Sequence, residues 1–336
     1  MILSVLDQTP IAAGTTPAAA LANSIDLARH CEALGYRRYW LAEHHASPAL
    51  AGSAPEILIA AVAAATSRMR IGSGGIMLPH YSPLKIAETF SLLAGLYPGR
   101  IDLGLGRAPG SDQRTAIALQ RDRRQHAPHD FPDQLAELIG YLEDALPPDH
   151  PFAPYARTLP GLPEAPEPWV LGSSPDSAGF AGDLGLPYCF ADFINARQGA
   201  IAADYRRRFT ARHPGDTPRV AVAIWTVAAE TDAEAQRLAA PARMMFAHLL
   251  AGRSIAVPDV ETAVAWLADR PELSRAQTGR RVVAGSPETV RAGLAEAAAE
   301  YQADEVMLVN ILYDHDTRTR SYTLAMAAMA GLAGAA

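Results

Sequence analysis

Apolar residues along this chain gather into short runs separated by stretches of helical spacing. Ile2–Leu6 is a buried-strand pattern that closes on Asp7. Pro17–Leu34 has helical spacing, with Leu21, Ile25, Ala28 and Cys31 on one face and Gly35 just beyond the end. Arg37–Ala42 is a second strand, running into Glu43-His44-His45, and Ala54–Ser67 an alanine-rich helix. Met69–Ser73 predicts a third strand ending at Gly74-Gly75, Pro83–Leu96 a helix, and Arg100–Leu105 a fourth strand ending in Gly106, Arg107 and Gly110. Helical spacing follows over Ser111–Arg123 and Asp130–Leu146, the latter with Leu135, Leu138, Ile139 and Leu142 on one side. Pro147–Pro168 is proline-rich, has no period and reads as a surface loop.

The alternation then resumes. Trp169–Gly172 is a strand opening into Ser173-Ser174-Pro175 and a helix to about Leu184. Pro187–Ala191 and Arg219–Ala228 are strands, and Gly199–His213 and Asp232–Leu250 helices. Gly252–Arg280 is irregular, with one short helix near Val260–Leu267. Ser286 caps a helix with Pro287 at its first position and Val290, Leu294, Ala297 and Tyr301 on its buried face. Glu305–Asn310 is the last strand and Thr317–Leu332 the last helix. Eight short apolar strands, mostly followed by helices, predict an α/β fold. A (β/α)8 barrel fits better than a doubly wound sheet, because polar residues recur at the C-terminal strand ends, where a barrel keeps its active site. Residues 1–336 are expected to form one such domain, with the irregular insertion before the last strand.

Composition narrows this picture without changing it. The chain is 49% hydrophobic and 19% charged, as a soluble globular protein would be, and its net charge of -7 argues against a nucleic-acid partner. No apolar run reaches the roughly 18 residues of a membrane span. The start MILSVLDQTP lacks the pattern of a signal peptide, and Cys31 and Cys189 have no metal-type spacing, so the cytoplasm is the expected compartment.

Candidate chemistry sits at the strand ends. Glycines there permit a close approach to the backbone or simply make turns, and Gly74-Gly75 leaves both readings open. Arg107 suits a phosphate, or else a salt bridge with Asp102 or Asp112. Ser173, Ser174 and Ser177 lie where the fifth strand meets its helix, and a helix N-terminus with added hydroxyls binds anions, although capping alone also explains them. Side chains alternate along an extended segment, so His44 and His45 cannot both face one cavity, which argues against a metal pair. His44 is a candidate proton exchanger, with Glu43 available to orient its ring. No cluster of His, Cys, Asp or Glu has metal-ligand spacing.

Together, Trp40–His45 (WLAEHH), Ile71–Pro79 (IGSGGIMLP), Ile101–Gly110 (IDLGLGRAPG), Trp169–Ser174 (WVLGSS) and Val283–Val290 (VAGSPETV) resemble the luciferase-like flavin monooxygenases, in that family's order and over nearly the whole chain. The likeness is nearest to a single-gene bacterial branch. It implies a (β/α)8 barrel binding FMN at its C-terminal mouth. Gly74-Gly75 would lie beneath the flavin ring, where the family often has a non-proline cis peptide. Arg107, Ser173, Ser174 and Ser177 would hold the phosphate, and His44 would be the acid/base group. The implied reaction uses FMNH2 and molecular oxygen, through a C4a-peroxyflavin, to oxygenate a small organic substrate. The implied partners are a separate NAD(P)H:flavin reductase and a second copy of the chain. Gly106 stands where the luciferase α subunit has a cysteine, and Ser173 where it has a glutamate. Gly252–Arg280 occupies the place of the family's mobile lid and is shorter than in luciferase. Two other readings remain open at this stage: an F420-dependent oxidoreductase on the same barrel, and a non-catalytic flavin-binding protein.

Overall fold

Alternation along each strand decides what fills the inside of the barrel and what meets the helices. The computed structural model describes residues 1–107, 113–119, 130–270, 273 and 281–330. Seven strands pair in succession, all parallel: β1 (Ile2–Asp7), β2 (Arg38–Leu41), β3 (Arg70–Met77), β4 (Ile101–Gly106), β5 (Glu167–Gly172), β6 (Tyr188–Ala191) and β7 (Val220–Ala228). A further short strand, β8 (Val282–Gly285), pairs with β7, and β9 (Glu305–Val309) lies between β7 and β1 and closes an eight-stranded ring. The fold is therefore the expected TIM barrel, with β8 as an extra strand.

Around it lie α1 (Pro17–Leu34), α2 (Pro55–Ala65), α3 (Pro83–Leu96), α4 (Gln113–Leu119), α5 (Phe131–Leu142), α6 (Pro175–Asp183), α7 (Gly199–Arg208), α8 (Asp232–Leu238), α9 (Ala240–Leu250), α10 (Val260–Ala268), α11 (Pro287–Tyr301) and α12 (His315–Ala330). Outward residues such as Val5, Tyr39, Ile71, Leu103 and Leu308 form one core with these helices. Inward residues, among them Leu6, Trp40, Trp169, Cys189, Ala223 and Met307, form a second core inside the barrel. No helix among the described residues is long and apolar enough to cross a membrane.

The N-terminal end of the barrel is closed by charge. Arg38, 5% exposed, donates to Asp102 Oδ2 of β4 (2.8 Å), Glu167 Oε2 of β5 (2.9 Å) and Glu305 Oε2 of β9 (3.1 Å). Arg70 of β3 adds a bond to Asp102 Oδ1 (2.7 Å), Arg219 one to Glu167 Oε1 (2.6 Å), and the Ser4 hydroxyl of β1 one to Glu305. Trp40 Nε1 donates to Asp102 Oδ2 (2.9 Å), and the Arg38 guanidinium lies 4.8 Å from the Trp169 ring centre. Asp102 is thus bound at the floor, remote along β4 from Arg107, and is not the partner that the sequence allowed for that arginine.

Immediately above the floor Trp40 fills the barrel, meeting the Trp169 ring edge-on at 5.5 Å, and the neighbouring β3 and β4 carry glycines beside it. A Cβ on Gly72 would come 3.0 Å from Trp40 Cδ1, one on Gly74 would overlap Leu6 and meet Trp40 Cβ at 3.0 Å, and one on Gly104 would overlap the Ser73 carbonyl. These glycines are spaced two apart, so they all point inward. What comes close to the backbone along most of this stretch is the protein's own tryptophan.

Several elements differ from expectation, each for a physical reason. β3 runs on through Gly74-Gly75 to Met77, with a bulge between Gly74 and Ile76, so the glycines lie inside the strand. The buried face of α1 is Ala20, Ser24, Leu27, Ala28 and Cys31, while Leu21 is exposed. The face is turned because the Ser24 carbonyl accepts from Tyr39 OH, which also donates to the buried Asp7 Oδ2 (2.6 Å). The single helix expected over Asp232–Leu250 is two, because Pro241 at the start of α9 supplies no N–H to continue the first. The expected helix ends at Arg123 and Leu332 lie outside the described residues.

Glu167 reports on the floor. Burial raises its pKa, but Arg38, Arg219 and Arg70 outweigh burial and lower it to about 2. A carboxylate held this low stabilises the fold above its unfolded value of 4.5, and the contribution fades as pH falls towards 2. We expect Glu167→Gln to cost about 2–3 kcal/mol at pH 7, within the range for breaking a buried ion pair and discounted for its partial exposure. The gap to wild type should close between pH 4.5 and 2. Urea unfolding of both proteins across that range checks it; a gap independent of pH would show that the charge of Glu167 is not what the floor uses.

Candidate active site

Four neighbouring strands bring the sequence candidates to the C-terminal mouth. Beyond β2 the chain is extended, so Glu43 and His45 share one side and His44 takes the other. Glu43 is fully buried and fully engaged. Its Oε1 accepts from His45 Nε2 (2.7 Å) and Tyr81 OH (3.0 Å), and its Oε2 accepts from the Met77 backbone N–H (2.9 Å). The expectation that Glu43 orients the His44 ring is corrected: Glu43 holds His45 and fastens the β2 loop to the end of β3. The His45 ring meets His80 edge-on at 5.8 Å.

His44 is fixed by its backbone, whose N–H donates to the Gly52 carbonyl (2.7 Å). Its Nδ1 is buried with no hydrogen-bond partner. Burial, with the neighbouring His45 adding to it, lowers its pKa to about 4, so the ring is neutral at pH 7.

Next along the mouth is the end of β3. The Gly74–Gly75 peptide is cis. A Cβ on Gly75 would lie 2.8 Å from the Gly104 carbonyl oxygen, so the bulge of β3 sits directly against β4. Met77 pairs with Gly106, where an added Cβ would meet only the Met77 side chain (3.1 Å to sulfur). Gly75 and Gly106 are both buried, and the arc between them is close-packed backbone bordered by the Met77 side chain.

Arg107 follows Gly106 and turns towards α6. Its Nη2 donates to Ser174 Oγ (3.4 Å), and its Nη1 pairs with Asp176 Oδ2 (3.2 Å). Ser174 is the N-cap of α6 and accepts from the Ser177 N–H (3.3 Å). The Ser177 hydroxyl is buried behind it, bonded to the Ser174 carbonyl (3.0 Å) and to Tyr188 OH (2.7 Å). The Ser173 carbonyl accepts from Asn195 Nδ2 (3.3 Å). Arg107 and Ser174 thus converge at a helix N-terminus, and Ser177 holds Ser174 in place. A guanidinium, a hydroxyl and the positive end of a helix form a donor set suited to a phosphate dianion.

The opposite arc is apolar. Met245 and Phe246 of α9 pack against the core inside the barrel, and Phe246 meets the Trp225 ring edge-on at 4.5 Å. The chain then crosses from β7 towards β1, where Val257 accepts from Ala13 N–H (2.7 Å) and donates to the Ile11 carbonyl (2.8 Å). The short helix expected near Val260–Leu267 is α10. The remainder of the expected lid, residues 271–280 apart from 273, lies outside the described residues. Among the described residues no group of three or more His, Cys, Asp or Glu is placed to hold a metal ion.

The profile of the family described as "Luciferase-like monooxygenase" matches residues 1–305. The chain belongs to the luciferase-like monooxygenase family. A luciferase-like monooxygenase of Escherichia coli (strain K12) is 39% identical over 325 residues, covering 96% of this chain and 95% of that protein. The N-acetyl-S-alkylcysteine monooxygenase of Bacillus subtilis (strain 168) is 36% identical over 326 residues, covering 96% of each. The crystal structure of apo-MsnO8 superposes with a TM-score of 0.89 at 39% identity, covering 98% of both chains. The family is one of enzymes, as the sequence motifs implied.

Within this family member, three residues of the mouth escaped the sequence reading. Tyr81 and Met77 complete the surroundings of Glu43, and nothing in one dimension links them to it. Asp176 was visible as an acid in the first turn of α6, but its pairing with Arg107 depends on β4 and β5 being neighbours.

The neutral state of His44 gives a pH test. A histidine whose folded pKa lies below its unfolded value of 6.5 leaves stability intact above pH 6.5 and removes it as pH falls towards 4. The full shift corresponds to about 3.4 kcal/mol, most of it expressed by pH 4. His44→Gln cannot titrate, so between pH 7 and 4 wild type should lose about 2–3 kcal/mol more than the variant. Denaturant unfolding at both pH values measures this; equal losses would mean that His44 is not held neutral.

Proposed function

We propose that this protein is an FMN-dependent monooxygenase that takes reduced FMN from a separate NAD(P)H:flavin reductase and inserts one atom of molecular oxygen into a small apolar organic substrate. The observation that carries this reading is the convergence of Arg107 and Ser174 at the N-terminus of α6, next to the glycine-containing strand ends at Gly75 and Gly106. Arg107, Ser174 and the first N–H groups of α6 bind the flavin phosphate. Gly75 and Gly106 offer the ring backbone in place of side chains. Bound reduced FMN supplies the electrons that activate oxygen.

The chain's own part is positioning, proton handling and exclusion of water. The uncharged His44 keeps a buried, unpartnered Nδ1 that can exchange a proton only with a group brought against it, while its backbone stays anchored to Gly52. Glu43 keeps that loop tied to Met77. Met245, Phe246 and Trp225 give the substrate an apolar wall. By its name the B. subtilis relative acts on N-acetyl-S-alkylcysteine, a thioether that also carries a carboxylate, so such a thioether is the first substrate to try. The reading also includes a homodimer, which sedimentation velocity would test, and a cytoplasmic location.

FMN and F420 titrations with wild type and Arg107→Ala test the cofactor reading. FMN should bind, and the variant should lose about 1.5–3 kcal/mol of affinity, the scale of a charge-assisted hydrogen bond. Substrate-dependent oxygen uptake with FMNH2 should follow. Binding of F420 in place of FMN would favour an F420-dependent oxidoreductase, and stable FMN binding without turnover of any substrate would favour a binding protein.

A further inference from the structure

The phosphate corner contains its own anion. Asp176 stands two residues after the N-cap Ser174, in the first turn of α6, and its Oδ2 lies 3.2 Å from Arg107 Nη1. Its carboxylate therefore sits where two attractions for an anion overlap, the guanidinium and the helix N-terminus. The pair is loose. The distances from Arg107 to Asp176 and Ser174 are 3.2 and 3.4 Å, longer than the roughly 2.7–2.9 Å of a good charge-assisted bond, and the two charged side chains are 43% and 65% exposed. A carboxylate held this way orients the arginine but is easily displaced.

Resting on the reading of this corner as the flavin phosphate site, we propose that Asp176 is a built-in competitor for that phosphate, which limits FMN affinity and speeds FMN release. A phosphate dianion at Arg107 must displace the Asp176 carboxylate and then remain beside it. The charge of Asp176 thus lowers phosphate affinity twice, by occupying the arginine beforehand and by repelling the ligand afterwards. Such a device suits an enzyme that borrows its flavin. Reduced FMN must enter and oxidised FMN must leave in every turnover, so a tightly held phosphate would make release limiting. Arg107 meanwhile stays pointed at α6 between turnovers, so its side chain need not be ordered anew at each binding.

The test is FMN and riboflavin binding, with dissociation rates, to wild type, Arg107→Ala and Asp176→Asn, with Asp176→Ser as a second neutral variant. Position 176 is exposed and both replacements suit the start of a helix, so all proteins should fold. Asp176→Asn should tighten FMN by about 3- to 10-fold, the scale of a half-exposed charge interaction, and slow its release by a similar factor. Riboflavin, which lacks the phosphate, should bind the two aspartate variants as it binds wild type. Arg107→Ala should weaken FMN by more than about 10-fold. If Arg107→Ala weakens FMN while Asp176→Asn leaves it unchanged or weaker, the competitor proposal is overturned and the phosphate site stands. If both flavins tighten equally, the effect does not lie at the phosphate and the proposal is overturned. If Arg107→Ala leaves FMN unchanged, the phosphate assignment itself fails.

Discussion

The barrel depends on one buried arginine. Arg38 reaches carboxylates on β4, β5 and β9, and through their second contacts Arg70, Arg219 and Ser4 it connects strands far apart in sequence. Burial would lower its pKa, but the charges of Asp102, Glu305 and Glu167 overcome that and hold it firmly protonated. Such a cluster is a weak source of net stability, because desolvating the ions offsets much of their attraction. What it supplies is register. Each carboxylate finds its partner only when the strands meet at one stagger, since a slip of one residue would turn every inward group outward. With the floor fixed in this way, the strand ends at the mouth are fixed as well.

The floor also explains the glycines. Trp40 is held upright by its bond to Asp102 and fills the barrel above Arg38, so the facing strands carry Gly72, Gly74 and Gly104. The glycine pattern therefore serves two purposes along one stretch. Its lower members accommodate a tryptophan, while Gly75 and Gly106, near the mouth, let β3 pack its backbone and Met77 closely against β4. Packing against the tryptophan and packing of β3 on β4 are consecutive steps of one ladder, and the bulge at Gly75 marks the change between them.

Much of this was legible in one dimension. Eight strands, the insertion before the last of them and the buried face of α11 follow from periodicity, because each is a local pattern that packing reinforces. What escaped depends on closure. β8 is four residues long and has no period of its own; it exists because the nine-residue β7 offers a C-terminal half to pair with. Arg38, Asp102, Glu167 and Glu305 each look like the polar start of a strand. Only the closed ring shows that they face one another. Glu43 is a different case, since alternation alone puts it on the side of His45, and its proximity to His44 in sequence was the misleading signal.

That separation bears on how the mouth works. Had Glu43 reached the His44 ring, a carboxylate beside imidazole would have raised the histidine's pKa and favoured the charged form. The charge is spent elsewhere, on His45, Tyr81 and the Met77 N–H, and His44 is left with burial and a histidine neighbour, both of which lower its pKa. The mouth thus keeps its two polar duties apart. Arg107 and Ser174, across β4 and β5, form a donor set suited to an anion, while the ring on the β2 side carries no charge at neutral pH. A protonated His44 would be a second attraction for anions at the same opening. Keeping it neutral leaves the positive charge of the Arg107 corner without a competing second cation at His44.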